Sequence, residues 1–274
     1  MIFGRAATMT VQANAKVNLT LEVYAKRPDG YHALRSLVAP ISLADTLEIE
    51  RTGDGQITSD TGFSDDLCVK AAQVLCALRS GPCASDEGVR IHVEKRIPVG
   101  GGLGGGSADA AATLRALNVL WQLGKTPEEL AEIGAAVGSD VPALVLAQHY
   151  RRTVLMEGRG EKVSLCPRKD VSAMHLVLAN PGLSVSTAEI YRLCEPRTTP
   201  AADFVNDLQG SAVRRHPEIA RTLEALSAAG ATNVMMSGSG ATCFGFVSDA
   251  AAARQIVGQL SSRGLACWPA DILF

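Results

Sequence analysis

Residues 99–111 read VGGGLGGGSADAA, and no other stretch of the sequence is so clearly suited to chemistry. Six of the seven residues from 100 to 106 are glycine. Glycine lets several backbone N–H groups converge on an anion, because no Cβ stands in the way. Ser107 is a favourable N-cap for the helix predicted next, and a helix N-terminus adds free N–H groups and partial positive charge. The combination predicts a phosphate-binding loop.

Three other kinds of glycine-rich segment and a simple turn are the alternatives. A flexible linker is disfavoured because a predicted strand leads in and a predicted helix leads out. A Walker loop ends in Gly-Lys-Ser/Thr, whereas this run ends in Gly-Gly-Ser. Gly100, Gly102 and Gly105 satisfy the dinucleotide pattern GxGxxG, but a second helix follows where that fold has a parallel strand. A tight turn needs only one or two glycines.

Asp140 and Lys16 are candidates for a general base and a cation. Asp140 lies just past Gly138 in an apolar setting, where its carboxylate is able to take a proton from a hydroxyl. A turn or N-cap aspartate is an equally good interpretation. Lys16 begins an alternating strand pattern, so its side chain and that of Asn18 face the same side. Taken alone, Lys16 is better explained as a strand-edge lysine facing water.

A second glycine-rich stretch, SGSGAT, spans residues 237–242. A hydrolase nucleophile elbow needs the pattern GxSxG, and neither Ser237 nor Ser239 has glycine at both required positions. The stretch therefore favours a loop whose backbone approaches phosphates from a second domain.

Composition excludes several functional classes. The chain has 274 residues, a net charge of −2, 47% hydrophobic and 20% charged residues, which are globular values without a nucleic-acid or polybasic membrane signal. No apolar run approaches the roughly 20 residues of a membrane span, and the N-terminus has no signal-peptide pattern. The seven cysteines form no CxxC pair or zinc cluster, which indicates reduced thiols in the cytoplasm.

The elements that must position these residues form an α+β pattern. The boundary is placed so that residues 1–165 form one domain and residues 166–274 a second. A capping box, TPEE, begins the helix after Gly124. The predicted strands cover residues 17–23, 46–51, 89–95, 154–156, 173–179, 233–236, 243–247 and 267–270. The predicted helices cover about residues 68–79, 108–122, 127–137, 186–193, 217–229 and 249–263.

Residues 98–107 resemble the second motif of the GHMP small-molecule kinases. Residues 15–19 (AKVNL) and 236–242 (MSGSGAT) resemble the first and third motifs, in the family's order. The resemblance covers nearly the whole chain. It implies a ribosomal-protein-S5-domain-2-like N-terminal half, a ferredoxin-like C-terminal half, and an ATP site in the cleft between them.

Residues 27–32 (RPDGYH) and 138–142 (GSDVP) narrow the resemblance to one branch of that family. Its members phosphorylate the 2-hydroxyl of a cytidine diphosphate-linked methylerythritol in the non-mevalonate route to isoprenoids. The alternatives are a GHMP kinase of the mevalonate or homoserine type, and a non-catalytic nucleotide-binding protein of the same fold. The implied ligands are ATP, Mg²⁺ and this small molecule, bound by a monomer or weak homodimer without nucleic acid or membrane.

The resemblance implies roles for individual residues. Asp140 would be the base, and Lys16 the cation that keeps it ionised. The residues expected to bind the acceptor are Asn18, Tyr31, His32, Thr187 and Tyr191, with the cytidine beside Tyr31 and His32 and against Tyr191 as a second aromatic wall. The residues expected to bind ATP are Leu67, Pro98, Val99, Gly100, Gly101, Gly102, Leu103, Gly104, Gly105, Gly106, Ser107 and Ala108, with Ser107 also the candidate Mg²⁺ ligand. Asp109 is expected to stabilise the first helical turn rather than reach Mg²⁺ through water.

The sequence departs from the family's pattern at four positions. Asn14 stands where proline is usual, Ser139 replaces a common alanine, and Ala143 and Leu144 replace frequent aromatic residues. These changes affect packing and backbone stiffness more than reacting groups, so they bear on fine substrate preference.

Overall fold

The computed structural model describes residues 8–28, 30–79, 87–166, 174–201 and 204–274. Within them the strands are β1 (Thr8–Lys26), β2 (His32–Thr52), β3 (Ile57–Ser59), β4 (Gly88–Glu94), β5 (Val154–Gly158), β6 (Lys162–Leu165), β7 (His175–Asn180), β8 (Val205–Asn206), β9 (Thr232–Met236), β10 (Cys243–Val247) and β11 (Ala266–Asp271). The helices are α1 (Leu67–Ala77), α2 (Gly105–Leu120), α3 (Pro127–Gly134), α4 (Val141–Tyr150), α5 (Thr187–Leu193), α6 (Gln209–Arg215), α7 (Pro217–Ala228) and α8 (Ala250–Ser261).

The first sheet is built on two long antiparallel strands, β1 and β2, which pair from Thr8 opposite Glu50 to Lys26 opposite His32. Its order is β3-β4-β2-β1-β8, with β5 against β2 and β6 against β5. The predicted strand at residues 17–23 is confirmed as part of β1, but its alternation of polar and apolar residues, which is typical of a half-buried strand, does not mark an exposed face: Asn18 and Glu22 are as buried as their apolar neighbours. Each has a partner, since Asn18 donates to Ser36 and Glu22 accepts from other side chains.

Helix α2 lies on β1 and β2 and is packed against α1, α3 and α4. The alanines that follow the glycine run are buried, because small side chains let the neighbouring elements approach this central helix closely: Ala108, Ala110, Ala111, Ala112 and Ala116.

The predicted start of this helix is corrected by the structure. It begins at Gly105 instead of about residue 108, and its N-cap is Gly104 with φ +69°, not Ser107. Gly104 adopts the left-handed conformation at little cost, which lets the helix start within the glycine run. No side chain caps this end, so the N–H groups of the first turn have no side-chain acceptor. The predicted capping box of α3 is confirmed, with Thr126 and Glu129 in their expected roles, but that helix ends at Gly134.

The second sheet has the antiparallel order β11-β7-β10-β9. Strands β7 and β9 are joined through α7, and β10 and β11 through α8, which gives the β-α-β-β-α-β arrangement of ferredoxin-like folds. The ferredoxin-like half is therefore confirmed, as is the α+β class, and the last strand, β11, lies at one edge of this sheet.

The two halves of the chain share backbone pairing. Strand β8 comes from the C-terminal half but extends the first sheet, with Leu21 opposite Asn206. Ile272, next to the end of β11, forms a bridge to Ile41 of β2. Residues 167–173, beside the predicted boundary between residues 165 and 166, lie outside the described residues, so the boundary stays a prediction.

Cys68, Cys194 and Cys243 are buried and have no disulfide partner, in agreement with the predicted reduced thiols. Cys83 lies outside the described residues.

Among the helices that the structure describes, none combines the length and apolar character needed to cross a membrane.

Candidate active site

A cavity of about 1060 Å³ lies between the two halves and is open to solvent. Its walls come from β1, the start of α1, the glycine run, α5 and the loop between β9 and β10. It brings together almost every residue predicted for the site: Lys16, Asn18, Tyr31, His32, Leu67, Pro98, Val99, Gly100, Gly101, Gly102, Gly104, Gly105, Gly106, Ser107, Asp140, Thr187 and Tyr191.

Leu103 and Ala108 are the predicted ATP-binding residues that do not line this cavity. Both are fully buried in the core behind the glycine run. Leu103 anchors the run there as an apolar residue between glycines, and its carbonyl accepts a hydrogen bond from the Lys16 N–H at 3.1 Å.

Lys16 is a buried cation, so its interpretation as a lysine facing water is wrong. The pairing register of β1 with β2 shifts between Asn14 and Lys16, and the Lys16 N–H bonds the glycine run. The side chain is 5% exposed, and Nζ donates to Asn18 Oδ1 at 2.5 Å and to the Gly102 carbonyl at 3.0 Å. Burial lowers the pKa of Lys16, and the nearby Asp140 carboxylate opposes that shift.

Asp140 occupies the N-cap position of α4, which agrees with its alternative interpretation as an N-cap aspartate. Its side chain, however, makes no capping hydrogen bond. The carboxylate is 38% exposed and lines the cavity, with Oδ2 3.8 Å from Lys16 Nζ. The structure therefore leaves this carboxylate available to a ligand and pairs it with a buried cation.

The two glycine-rich loops lie directly against each other. The Gly102 carbonyl accepts hydrogen bonds from Lys16 Nζ and from Ser237 Oγ, both at 3.0 Å. The Thr242 N–H donates to the Gly101 carbonyl at 3.1 Å. Residues 237–242 thus contact the phosphate-binding loop through one bond between backbone groups and one from the Ser237 hydroxyl to the backbone.

Gly102 cannot carry a side chain in this arrangement. Its φ is +76°, and an added Cβ would overlap the Ser237 carbonyl oxygen and lie 2.9 Å from that of Gly240. We expect Gly102→Ala to lower kcat/KM about 100-fold, because a shift of the order of 1 Å in a phosphate-binding loop is enough for such a loss. Steady-state ADP release measures the effect.

Gly124→Ala is the matched control for this substitution. Gly124 also has a positive φ, +65°, but an added Cβ there meets no atom within 4 Å. The control carries the same backbone strain without the overlap, so it should keep near-normal activity. Equal activities of the two variants would contradict the need for a bare backbone at Gly102.

Asp109 does not have the role predicted for it. It is the fifth residue of α2, beyond the first turn, and 3% exposed. Its Oδ2 accepts from Lys95 Nζ at 2.7 Å, and the same ammonium donates to Asp45 at 2.5 Å. Burial raises the pKa of Asp109 to about 7, although Lys95 favours the charged form. Lys95 thus holds the carboxylate at the wall of the cavity, which both residues line, and Asp109 Oδ1 has no hydrogen-bond partner in the part of the chain that the structure describes.

Part of the cavity lining is aromatic. The rings of His32 and Tyr191 are stacked, with centroids 6.0 Å apart and planes at 29°. Tyr31 is 55% exposed, and the Arg159 guanidinium lies 5.6 Å from its ring centroid. The predicted residues meet here, but it is His32 that stacks on Tyr191.

Sequence reasoning missed three cations of the cavity lining. It also missed the ion pairs that Lys95 forms with Asp45 and Asp109. Lys26, Arg159 and Arg192 line the cavity. Lys26 directly precedes the RPDGYH stretch and Arg192 directly follows Tyr191, so proximity to the motifs was the available signal.

The donor set suits a magnesium ion held mainly by phosphates. In the part of the chain that the structure describes, no group of three or more His, Cys, Asp and Glu side chains is placed to hold a metal. Ser107 is the third residue of the uncapped helix α2 and lines the cavity. Mg²⁺ commonly keeps few protein ligands beside substrate phosphates and water, so one hydroxyl at this position fits the ion.

The departures from the family's pattern are accommodated by packing. The side-chain Nδ2 of Asn14 donates to the Ile41 carbonyl at 3.0 Å, and the backbone carbonyl of Asn14 accepts from Gln148 Nε2. Leu144 is fully buried and lies against the backbone of Gly104, which supports the glycine run from behind.

Asp66 caps α1 by accepting from Cys68 and Val69, which places Leu67 at the cavity wall.

Two family models match the chain. Residues 66–148 match the N-terminal domain of the GHMP kinases, and residues 191–266 match the GHMP kinase C-terminal domain. These ranges contain the glycine run, Asp140, Tyr191 and the second glycine-rich loop.

Known proteins extend the match over most of the chain. It is 40% identical over 260 residues to the 4-diphosphocytidyl-2-C-methyl-D-erythritol kinase of Geobacillus sp. (strain WCH70), covering 87% of this chain and 88% of that protein. The crystal structure of a 4-(cytidine 5'-diphospho)-2C-methyl-D-erythritol kinase superposes with a TM-score of 0.84 at 32% identity, over 97% of this chain and all of that one.

A homoserine kinase from Cytophaga hutchinsonii shares the fold, with a TM-score of 0.73 at 16% identity over 100% of this chain and 97% of that one. The motifs, the geometry of the cavity and the full-length similarity agree. The chain belongs to the GHMP kinases and, among them, to the family of 4-diphosphocytidyl-2-C-methyl-D-erythritol kinases.

Proposed function

We propose that this kinase transfers the γ-phosphoryl group of ATP to the 2-hydroxyl of 4-diphosphocytidyl-2-C-methyl-D-erythritol, in the non-mevalonate route to isoprenoids. One observation carries the proposal. The Lys16–Asp140 pair lies in the same cavity as an uncapped helix N-terminus and the His32–Tyr191 stack. A proton acceptor, a phosphate cradle and an aromatic site for a nucleobase thus line one cavity.

In the proposed reaction, the carboxylate of Asp140 takes the proton of the acceptor hydroxyl. The hydroxyl oxygen forms a bond to the γ-phosphorus as the bond from that phosphorus to the bridging oxygen of ADP breaks, and ADP leaves with the electron pair. Lys16 places a positive charge beside Asp140 and beside the transferred group.

The phosphates of ATP would be held by the glycine run and by the first-turn N–H groups of α2, which no side chain caps. Ser107 would hold Mg²⁺ together with phosphate oxygens. When bound, the ion would neutralise part of the phosphate charge. The Lys95–Asp109 pair would support the helix from inside, and Leu67, Pro98 and Val99 would flank the nucleoside.

The acceptor would bind in the part of the cavity that Tyr31, His32 and Tyr191 line. Its cytosine ring would lie against Tyr31 and Tyr191, with the polar edge near His32. Its diphosphate needs cations, and Lys26, Arg159 and Arg192 line the same cavity. Mg²⁺ dependence, a cytoplasmic location and a monomeric or weakly dimeric state belong to the same proposal.

The proposed function is tested by offering three acceptors with ATP and measuring ADP release. The cytidyl substrate should give a kcat/KM at least about 1000-fold above mevalonate or homoserine, because the polar groups of a base-binding site stay unpaired without the base. Comparable rates with mevalonate or homoserine would overturn the assignment of the acceptor. The absence of turnover with all three would favour a non-catalytic nucleotide-binding protein.

The activity and the stability should respond to alkaline pH in opposite directions. The pKa of Lys16 lies below its ordinary value of 10.5, so the active, protonated form is lost earlier than for an exposed lysine. In the same interval the unfolded chain still binds this proton and the folded chain does not, so the stability contribution of Lys16 rises with pH.

The measurements for this prediction are kcat/KM and the urea midpoint of unfolding between about pH 7 and pH 10. Lys16→Met serves as the reference, because it removes this titration. Relative to that variant, the urea midpoint of the natural protein should increase with pH. A decrease would contradict the lowered pKa of Lys16.

A further inference from the structure

Asn206 is a buried amide that does not line the cavity, and neither the sequence motifs nor the reaction assigns it a role. It ends β8, which lies parallel to β1 with Asn206 opposite Leu21, and it is 7% exposed. Its Nδ2 donates to the Met236 carbonyl at 2.7 Å and to the Gly238 carbonyl at 2.8 Å. Its Oδ1 accepts from the Leu208 N–H at 3.0 Å.

These bonds use the full donor capacity of the side chain. A primary amide has two N–H donors and one carbonyl acceptor, and all of them are engaged here. A carboxylate of the same shape would face two carbonyl oxygens without a proton to donate, and an aliphatic side chain would leave both carbonyls without this partner. The position therefore requires an amide of this length.

The loop that Asn206 holds lies on the reacting groups. Ser237 Oγ donates to the Gly102 carbonyl. A Cβ added at Gly238 would be 3.3 Å from Lys16 Nζ and 2.9 Å from the Gly102 carbonyl oxygen, so the loop backbone passes directly over both. Ser239 and Thr187 share a hydrogen bond between their hydroxyls at 2.8 Å. A displacement of residues 237–240 would therefore shift the surroundings of Lys16 Nζ, the glycine run and α5.

We propose that Asn206 is a positioning residue of this kinase. It fixes residues 237–240 against the sheet that carries Lys16, and through them it sets the place of the Gly102 carbonyl and of the Lys16 ammonium. The inference rests on the proposed function for the reaction that is impaired, but the structural coupling it describes does not depend on which acceptor is phosphorylated.

Asn206→Ala is the direct test. We expect kcat to fall about 100-fold, because reacting groups displaced by the order of 1 Å lose that much rate, while the KM for each substrate changes less than about threefold. Amide hydrogen exchange without any ligand should become faster both in residues 236–242 and in residues 100–104. The hydrogen bonds that the structure describes for Asn206 do not reach the second segment, so its response reports the coupling.

Asn118→Ala is the matched control. Asn118 also holds a loop by side-chain to backbone bonds, donating to the Lys125 carbonyl and accepting from the Lys125 N–H, but it lies at the far end of α2. This variant should change exchange only around residues 118–126 and keep its kcat. The inference is overturned if Asn206→Ala keeps kcat within about threefold, or if both variants lose kcat in proportion to their fall in melting temperature.

Gln209→Ala provides a milder variant if Asn206→Ala does not fold. The Gln209 Oε1 accepts only the Met236 N–H, at 2.8 Å, and its side chain is half-buried. It should show the same pattern of exchange and a fall in kcat of about 10-fold. Unchanged exchange in residues 100–104 would overturn the coupling. If the unmodified protein phosphorylates none of the three acceptors but the exchange pattern holds, the proposed function fails and the coupling stands.

Discussion

Replacing Asp140 with asparagine is expected to lower kcat about 1000-fold while ATP still binds. Asparagine keeps the size and polarity of the side chain but cannot accept the proton of the acceptor hydroxyl. The carboxylate makes no capping bond to α4 and is 38% exposed, so the substitution should change the melting temperature little. Initial rates of ADP release give kcat, and calorimetric titration gives the affinity for ATP.

Asp140→Glu separates the loss of a base from the loss of a precise position. Glutamate keeps a carboxylate but extends it by one methylene, so this variant should retain more activity than Asp140→Asn and a similar affinity for ATP. If Asp140→Asn turned over within about 10-fold of the natural protein, proton transfer to Asp140 would not be a part of the rate-limiting chemistry.

Lys16→Met is expected to lower kcat/KM by about 1000-fold, an effect of the size seen when a transition-state cation is removed. Methionine fills most of the same volume, but it cannot donate to Asn18 Oδ1 or to the Gly102 carbonyl. The Gly102 carbonyl keeps its hydrogen bond from Ser237, so the loop retains an anchor.

The stability of this variant should not follow its activity. Burying an ammonium costs solvation, and a well-fitting apolar side chain often removes that cost. We therefore expect a melting temperature equal to or above that of the natural protein, although activity is nearly lost. Differential scanning calorimetry beside the kinetic assay measures the two quantities on the same preparation.

Lys70→Met is the control for Lys16→Met. Lys70 is a half-buried lysine on α1 whose Nζ donates to the Val137 carbonyl at 3.0 Å. It loses the same kind of bond outside the groups assigned to the reaction, so its kcat/KM should stay within about threefold. A Lys16→Met protein with more than about a tenth of normal activity would show that the buried cation is not needed for transfer.

The local part of the fold could be predicted from the sequence because the signals are local. The capping box at Thr126 and the alternating apolar residues of the strands act over a few neighbouring residues. The start of α2 could not be predicted in this way, because Ser107 is a residue type favoured at N-caps and pointed to a later start. The structure instead uses a left-handed glycine at Gly104.

The candidate site was predictable where motifs carry it and not where distant segments meet. Asn18 and Lys16 are neighbours on one strand, so the side they share follows from strand geometry. The burial of Lys16 does not, because it depends on Leu103 and on the C-terminal loop. Asp109 is a similar case: its position favoured helix stabilisation, but its carboxylate pairs with Lys95, which directly follows β4 and also binds Asp45.

The placement of β8 in the first sheet limits how the cavity can open. Rotation of one half away from the other as a rigid body would break the backbone bonds between β8 and β1 and the bridge between Ile41 and Ile272. Ligands then enter and leave by the side of the cavity that is already open to solvent, and the exposed side chains of Tyr31 and Val99 belong to its lining. The halves are consequently inseparable in the laboratory as well: a fragment that ends near residue 165 would leave the edge of β1 without its partner strand, open to pairing with another chain.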